Sequence, residues 1–121
     1  MGSKQRSWKM EFLIKRGDIV TCALSGDYGK PRPAVVVQSD LFNKTHASVT
    51  LCPITSDLVD TPLFRILLLP NKSTGLISVS QIMVDKIVSI KSEKIHKKIG
   101  KLSSEEMLKL DKALNLWLGL S

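Results

Sequence analysis

Apolar and polar positions alternate with a short period through most of this chain and switch to a helical period only near its end. Residues 18–24 alternate apolar with small side chains, which predicts a strand. Residues 33–38 are a continuous apolar run closed by Gln38, as expected of a strand buried on both faces. Further strands are expected at 48–54, 63–69, 76–79 and 85–90. Pro53 stands near the end of the third, where a missing donor does least harm. Turn formers crowd the intervals, notably Ser25-Gly26-Asp27-Tyr28-Gly29-Lys30-Pro31, residues 55–62 and Pro70-Asn71-Lys72-Ser73-Thr74-Gly75. Ser39 supplies an N-cap for one helical turn over Asp40-Leu41-Phe42-Asn43.

After residue 102 the period changes. Ser103 and Glu106 fit a capping box, and Met107, Leu110, Leu114 and Trp117 recur on one helical face with Lys109, Asp111 and Lys112 opposite. Short, closely spaced strands followed by one amphipathic helix predict a mainly β, α+β fold. The expected form is a curled antiparallel sheet or small barrel with the helix packed on it.

A chain of 121 residues has room for one modest core. We place a single domain at 15–121 and read residues 1–14, with Lys4, Arg6 and Lys9, as a flexible basic arm or a cloning remnant. No apolar run approaches the length of about 18 residues needed to cross a membrane, and the first nine residues lack the apolar stretch of a signal peptide. Cys22 and Cys52 lie in apolar, strand-like sequence and read as buried free thiols, consistent with a reducing cytoplasm. The net charge of +7 suits a polyanionic partner, and it also simply keeps a small protein in solution.

Arg32 is bracketed by Pro31 and Pro33, which stiffen the strand entrance that carries it. Its planar fork suits two phosphate oxygens, and it equally suits a surface carboxylate. Thr55, where the third strand empties into a loop, is placed to direct its hydroxyl, with Ser56, at a phosphoryl oxygen or merely to cap a turn. His46 and His96 show no metal-ligand spacing to Cys or carboxylates and read as surface residues, and no carboxylate cluster suggests a metal site. Six lysines between residues 86 and 101 form either a solvated face or a phosphate-tracking patch.

Four segments occur together in order: Arg16-Gly17-Asp18-Ile19-Val20, Lys30-Pro31-Arg32-Pro33-Ala34-Val35-Val36, Pro53-Ile54-Thr55-Ser56 and Gln81-Ile82-Met83-Val84-Asp85. In this the chain resembles the MazF/PemK toxins of type II toxin–antitoxin systems. The resemblance implies an SH3-like curled barrel, a homodimer, and sequence-selective cleavage of single-stranded RNA without metal or other cofactor. Such cleavage leaves 2′,3′-cyclic phosphate and 5′-hydroxyl ends and inhibits translation and growth. A MazE-like antitoxin is the implied partner. Arg32 and Thr55 fall on the family's catalytic arginine and threonine, and Lys30, Ser56, Ser78, Ser80 and Gln81 on positions expected to bind RNA. Ser80 stands where some relatives carry Asp or Glu, and Ser78 where one branch carries Arg. Because a guanidinium keeps its proton, Arg32 is expected to clamp the scissile phosphate rather than act as acid or base. The alternative is a non-nucleolytic toxin of the CcdB type, which shares the fold class and binds DNA gyrase.

Overall fold

The computed structural model describes residues 13–26 and 30–120. The expected N-terminal arm and the tip of the 25–31 loop lie outside the described residues, apart from Leu13 and Ile14. The elements are β1 (Asp18–Ala23), β2 (Pro31–Val36), α1 (Asp40–Asn43), β3 (Ser48–Thr55), β4 (Arg65–Leu68), β5 (Ser80–Met83), β6 (Val88–Lys91), β7 (Ile95–Lys101) and α2 (Ser104–Leu118). All strand pairings are antiparallel, in the order β4-β5-β3-β2-β1-β7, with β6 also on β3.

β3 is the spine. One edge pairs with β2, and the other is shared between β6, which takes Ser48 to Leu51, and β5, which takes Ile54 and Thr55. Pro53, which has no N–H to donate, falls in the short gap between those two ladders.

Alternation along the strands builds two cores on opposite faces of the sheet. On one face Ile19, Val35, Cys52, Ile54, Ile82 and Leu68 pack beneath Leu110, Ala113 and Leu114 of α2. On the other, Val20, Cys22, Ala34, Val36, Val49 and Leu51 meet Ile95. This double burial is why β2 reads as an unbroken apolar run. Both cysteines are buried and neither is in a disulfide, and burial pushes the Cys52 thiol up to about 12, so it stays protonated. The capping box forms as expected: Ser103 Oγ accepts from Glu106 N–H at 3.1 Å, and Glu106 Oε1 accepts from Ser103 N–H at 2.8 Å. Ser39 likewise caps α1 through Leu41 N–H.

The sheet is curled but not closed, since its end strands β4 and β7 do not pair. The connection between β4 and β5 spans the opening instead. Lys101 N–H donates to Ser73 C=O at 2.8 Å, and Gly75 and Gly100 let two backbones touch. A Cβ on Gly75 would strike the Ile99 carbonyl, and one on Gly100 the Thr74 carbonyl. The buried Thr74 organises this connection: its N–H donates to Asn71 Oδ1, and its hydroxyl lies within bonding distance of Leu69 C=O.

Three expectations need correction. Residues 76–79 are not a strand: they reach no partner edge, Ile77 is 98% exposed, and pairing begins only at Ser80. The strand expected at 85–90 divides into a 3-10 turn, Val84–Lys86, and β6, because Asp85 turns aside to meet Arg65. The lysine-rich stretch conceals β7. There only Ile95 and Ile99 face cores, and register shifts against β1 break the strict alternation that marks a strand in sequence.

Candidate active site

β1 and β2 pair so that Arg32 lies opposite Cys22. β3 and β5 pair so that Thr55 lies opposite Gln81, which in turn faces Leu67 of β4. Between them, the β2–β3 ladder runs from Val36–Leu51 to Ala34–Pro53. Continued two residues along each strand, that register sets Arg32 opposite Thr55. Arg32, Thr55 and Gln81 therefore form one row across three adjacent strands, pointing to the same face of the sheet.

The row lies at the end of the strands, where the core gives way to solvent. Arg32 is exposed, and so is Lys30 at the entrance to the same strand. Thr55 is half-buried, and its Oγ accepts from Asp57 N–H at 3.0 Å. That bond caps the turn into the 56–62 loop using an oxygen lone pair and not the hydroxyl hydrogen. Ser56 follows, exposed. Thr55 thus caps the turn and remains chemically equipped to donate one hydrogen bond toward a ligand.

The remaining sequence-derived candidates are placed differently. Ser80 is buried, pairs with the core residue Leu68, and donates its hydroxyl to Ser78 C=O at 2.9 Å. One step along the strand from Gln81, it points to the helix-covered face and does not join the row. Ser78 is exposed in the irregular segment before β5. Gln81 is in the row but buried, with both ends of its amide engaged by Val59. His46 and His96 are exposed. Among the described residues, no group of three or more His, Cys, Asp or Glu side chains is placed to hold a metal ion.

Two features escaped the sequence reading. The amide clamp of Gln81 on Val59 carries no local signal, because it joins residues 22 apart. The same holds for the two-pronged pair of Arg65 and Asp85, at 2.8 and 3.1 Å, which ties β4 to the turn after β5. Arg65 holds the Asp85 carboxyl below the usual carboxylate range, against a smaller opposing effect of burial. A groove of about 800 Å³ lies beyond the clamp, between residues 59–63, β4 and α2, and meets the row at Gln81.

The family model described as PemK-like, MazF-like toxin of type II toxin–antitoxin system matches residues 15–118. A probable endoribonuclease MazF from Mycolicibacterium smegmatis is 41% identical over 109 residues, covering 89% of this chain and 99% of the relative. An endoribonuclease MazF from Staphylococcus epidermidis is 28% identical, covering 90% and 94%. Among solved structures, a mycobacterial endoribonuclease in complex with its cognate antitoxin superposes with a TM-score of 0.75 at 21% identity, covering 89% and 97%, a likeness of fold. On the match over residues 15–118 and the 41% identity, the chain belongs to the PemK-like, MazF-like toxin family of type II toxin–antitoxin systems.

Proposed function

We propose that this toxin is a sequence-selective endoribonuclease that cleaves single-stranded RNA by attack of the ribose 2′-hydroxyl on the adjacent phosphorus. The observation that carries this reading is the alignment of Arg32 with Thr55 on one face of the sheet, at the end where its core gives way to solvent, in a chain whose curated relatives are named endoribonucleases. The 2′-oxygen loses its proton and bonds to phosphorus, the bond from phosphorus to the 5′-oxygen breaks, and that oxygen gains a proton. The products are a 2′,3′-cyclic phosphate and a 5′-hydroxyl, with no water consumed. Arg32 clamps two phosphate oxygens and stabilises the charge that builds on them, and Thr55 donates to one.

Lys30 and Ser56 flank the row, and Ser78 is exposed nearby in sequence to its edge, which suits them to hold RNA. Ser80 and Gln81 support the site from within the sheet. Residues 15–121 act as one domain. The toxin works as a cytoplasmic homodimer, and an antitoxin of the MazE type neutralises it; in support, the mycobacterial endoribonuclease of the same fold is solved in complex with its cognate antitoxin. No described helix is long and apolar enough to cross a membrane. The CcdB-like alternative draws no support from relatives named endoribonucleases.

The test is incubation of wild type and Arg32→Ala with a long single-stranded RNA in excess EDTA, with both ends of every product mapped. Discrete cuts by wild type alone, ending in cyclic phosphate, support the reading. Absence of cuts by folded wild type, or cleavage of an all-deoxy strand that lacks the nucleophile, overturns it.

A further inference from the structure

Gln81 has partners of two kinds. Its backbone pairs with Thr55 and Leu67 in the sheet, while its side chain reaches Val59 in the loop that leaves Thr55. Oε1 accepts from Val59 N–H at 3.0 Å, and Nε2 donates to Val59 C=O at 2.8 Å. The amide thus completes one rung of a ladder, with a side chain standing in for a strand. Gln81 is only 8% exposed, so neither bond has water to replace it easily.

The loop has little else to hold it. Ser56, Asp57, Leu58, Val59 and Asp60 are all exposed, and none belongs to either core. Its ends are fixed by the Thr55–Asp57 turn and by a turn in which Thr61 C=O accepts from Arg65 N–H. Between those ends the clamp is the anchor to the sheet. The loop is also where exposed polar side chains follow Thr55, and unstacked RNA bases are read by hydrogen bonds to their edges.

We infer that Gln81 is a positioning residue: through Val59 it fixes the 56–62 loop against the Arg32–Thr55 row and so sets which RNA sequence is cut, without touching RNA. This rests on the ribonuclease reading above. Arg32 and Thr55 are held by their own strand ladders, so loss of the clamp loosens the reading of bases more than the chemistry.

The experiment compares wild type, Gln81→Leu and Gln81→Glu. Leu keeps the bulk and removes both bonds; Glu keeps the acceptor for Val59 N–H and sets a carboxylate against Val59 C=O. Three quantities are read: the ratio of cleavage at the preferred sequence to that at single-base variants, kcat and KM at the preferred sequence, and hydrogen exchange of the Val59 amide. For Gln81→Leu we expect the ratio to fall about tenfold, as two neutral hydrogen bonds allow. kcat changes only a few-fold, and Val59 exchange accelerates. Gln81→Glu falls between. An unchanged cut pattern with a lowered melting temperature would make Gln81 merely structural and overturn the inference. A KM raised equally for all sequences, with Val59 still protected, would make it a direct RNA contact and also overturn it. Wild type that cuts nothing would sink the ribonuclease reading itself, while the exchange arm reports separately on the clamp.

Discussion

Two arginines dominate the family resemblance, and the structure uses them in opposite ways. Arg16 opens β1 and is consumed by the fold. Its Nε donates to Val37 C=O at 2.8 Å, its Nη2 meets Asp111 of α2 at 2.8 Å, and its backbone N–H donates to Asp40 of α1 at 2.7 Å. Gly17 beside it adopts φ +96° and lets Met107 approach so closely that a Cβ would lie 2.8 Å from its sulfur. Asp18 is buried, accepts from Lys15 N–H, and pairs with Lys98 of β7 at 3.1 Å. Arg32 instead stands exposed at a strand entrance, in a row with Thr55. A motif therefore marks a family without saying which of its members shape the fold and which face a substrate. Exposure and place in the sheet separate them.

The largest effect should follow from Arg32→Ala. In the proposed mechanism Arg32 faces the scissile phosphate, and removing such a charge costs about 10²–10³-fold in cleavage, while the melting temperature stays within a degree or two of wild type. Arg32→Lys restores charge but not the fork, so RNA affinity recovers more than kcat. Equal cleavage by all three proteins would erase the contrast between the two arginines.

Arg16→Ala should give the reverse pattern. Asp111 is 45% exposed at its side chain, so that ion pair contributes below about 1 kcal/mol. The greater loss comes from the bond to Val37 C=O, whose residue is buried, and from the packed stem of the side chain. Together they predict a loss of about 2–3 kcal/mol in denaturant unfolding, with activity per folded molecule retained. If Arg16→Ala unfolds like wild type but no longer cuts, Arg16 belongs to the site and the comparison is wrong.

The same division explains how much could be read from sequence. β1, β2, β3 and α2 were legible because both cores and the helix stripe leave a periodic imprint, and Ser103 and Ser39 are local caps. β7 was not, since an edge strand with shifted register exposes most of its side chains and looks like a charge run. Residues 76–79 misled in the other direction: Leu76, Ile77 and Val79 have strand propensity, yet no neighbouring edge receives them. At the candidate site, Arg32 and Thr55 could be singled out by their flanking residues and by resemblance. The burial of Ser80 and the clamp of Gln81 could not, because they depend on which face a residue takes and on a loop folding back.

The pair of Arg65 and Asp85 offers a third case, neither at a motif's centre nor in the row. The two side chains are 12% and 18% exposed, so their bonds are partly shielded from water. Asp85→Asn should cost about 1–2 kcal/mol at pH 7. The sign with pH follows from the direction of the shift. The folded carboxyl titrates below its unfolded value, so the stabilisation is fully present above an unfolded pKa of about 3.9 and disappears as pH falls through the depressed folded value. The gap in stability between wild type and Asp85→Asn should therefore be constant from neutral pH down to about 5 and narrow below 4. A gap that instead widens in acid would mean that Asp85 is not held by Arg65 in solution.

Ser103→Ala is the mildest and cleanest probe of the fold side alone. It deletes the Oγ that accepts from Glu106 N–H and leaves the backbone N–H of residue 103 still able to donate to Glu106 Oε1, so half the capping box survives. The expected cost is about 1 kcal/mol, a few degrees in melting temperature. α2 covers the core opposite the Arg32–Thr55 row, so loosening its first turn reaches the site only indirectly, through core residues such as Ile54 and Ile82, which alternate with Thr55 and Gln81 along their strands. Cleavage per folded molecule, and the sequence it selects, should not change. A shift in selectivity with so small a loss of stability would show that the two faces of the sheet are coupled, and that fold-shaping residues set the geometry of the row after all.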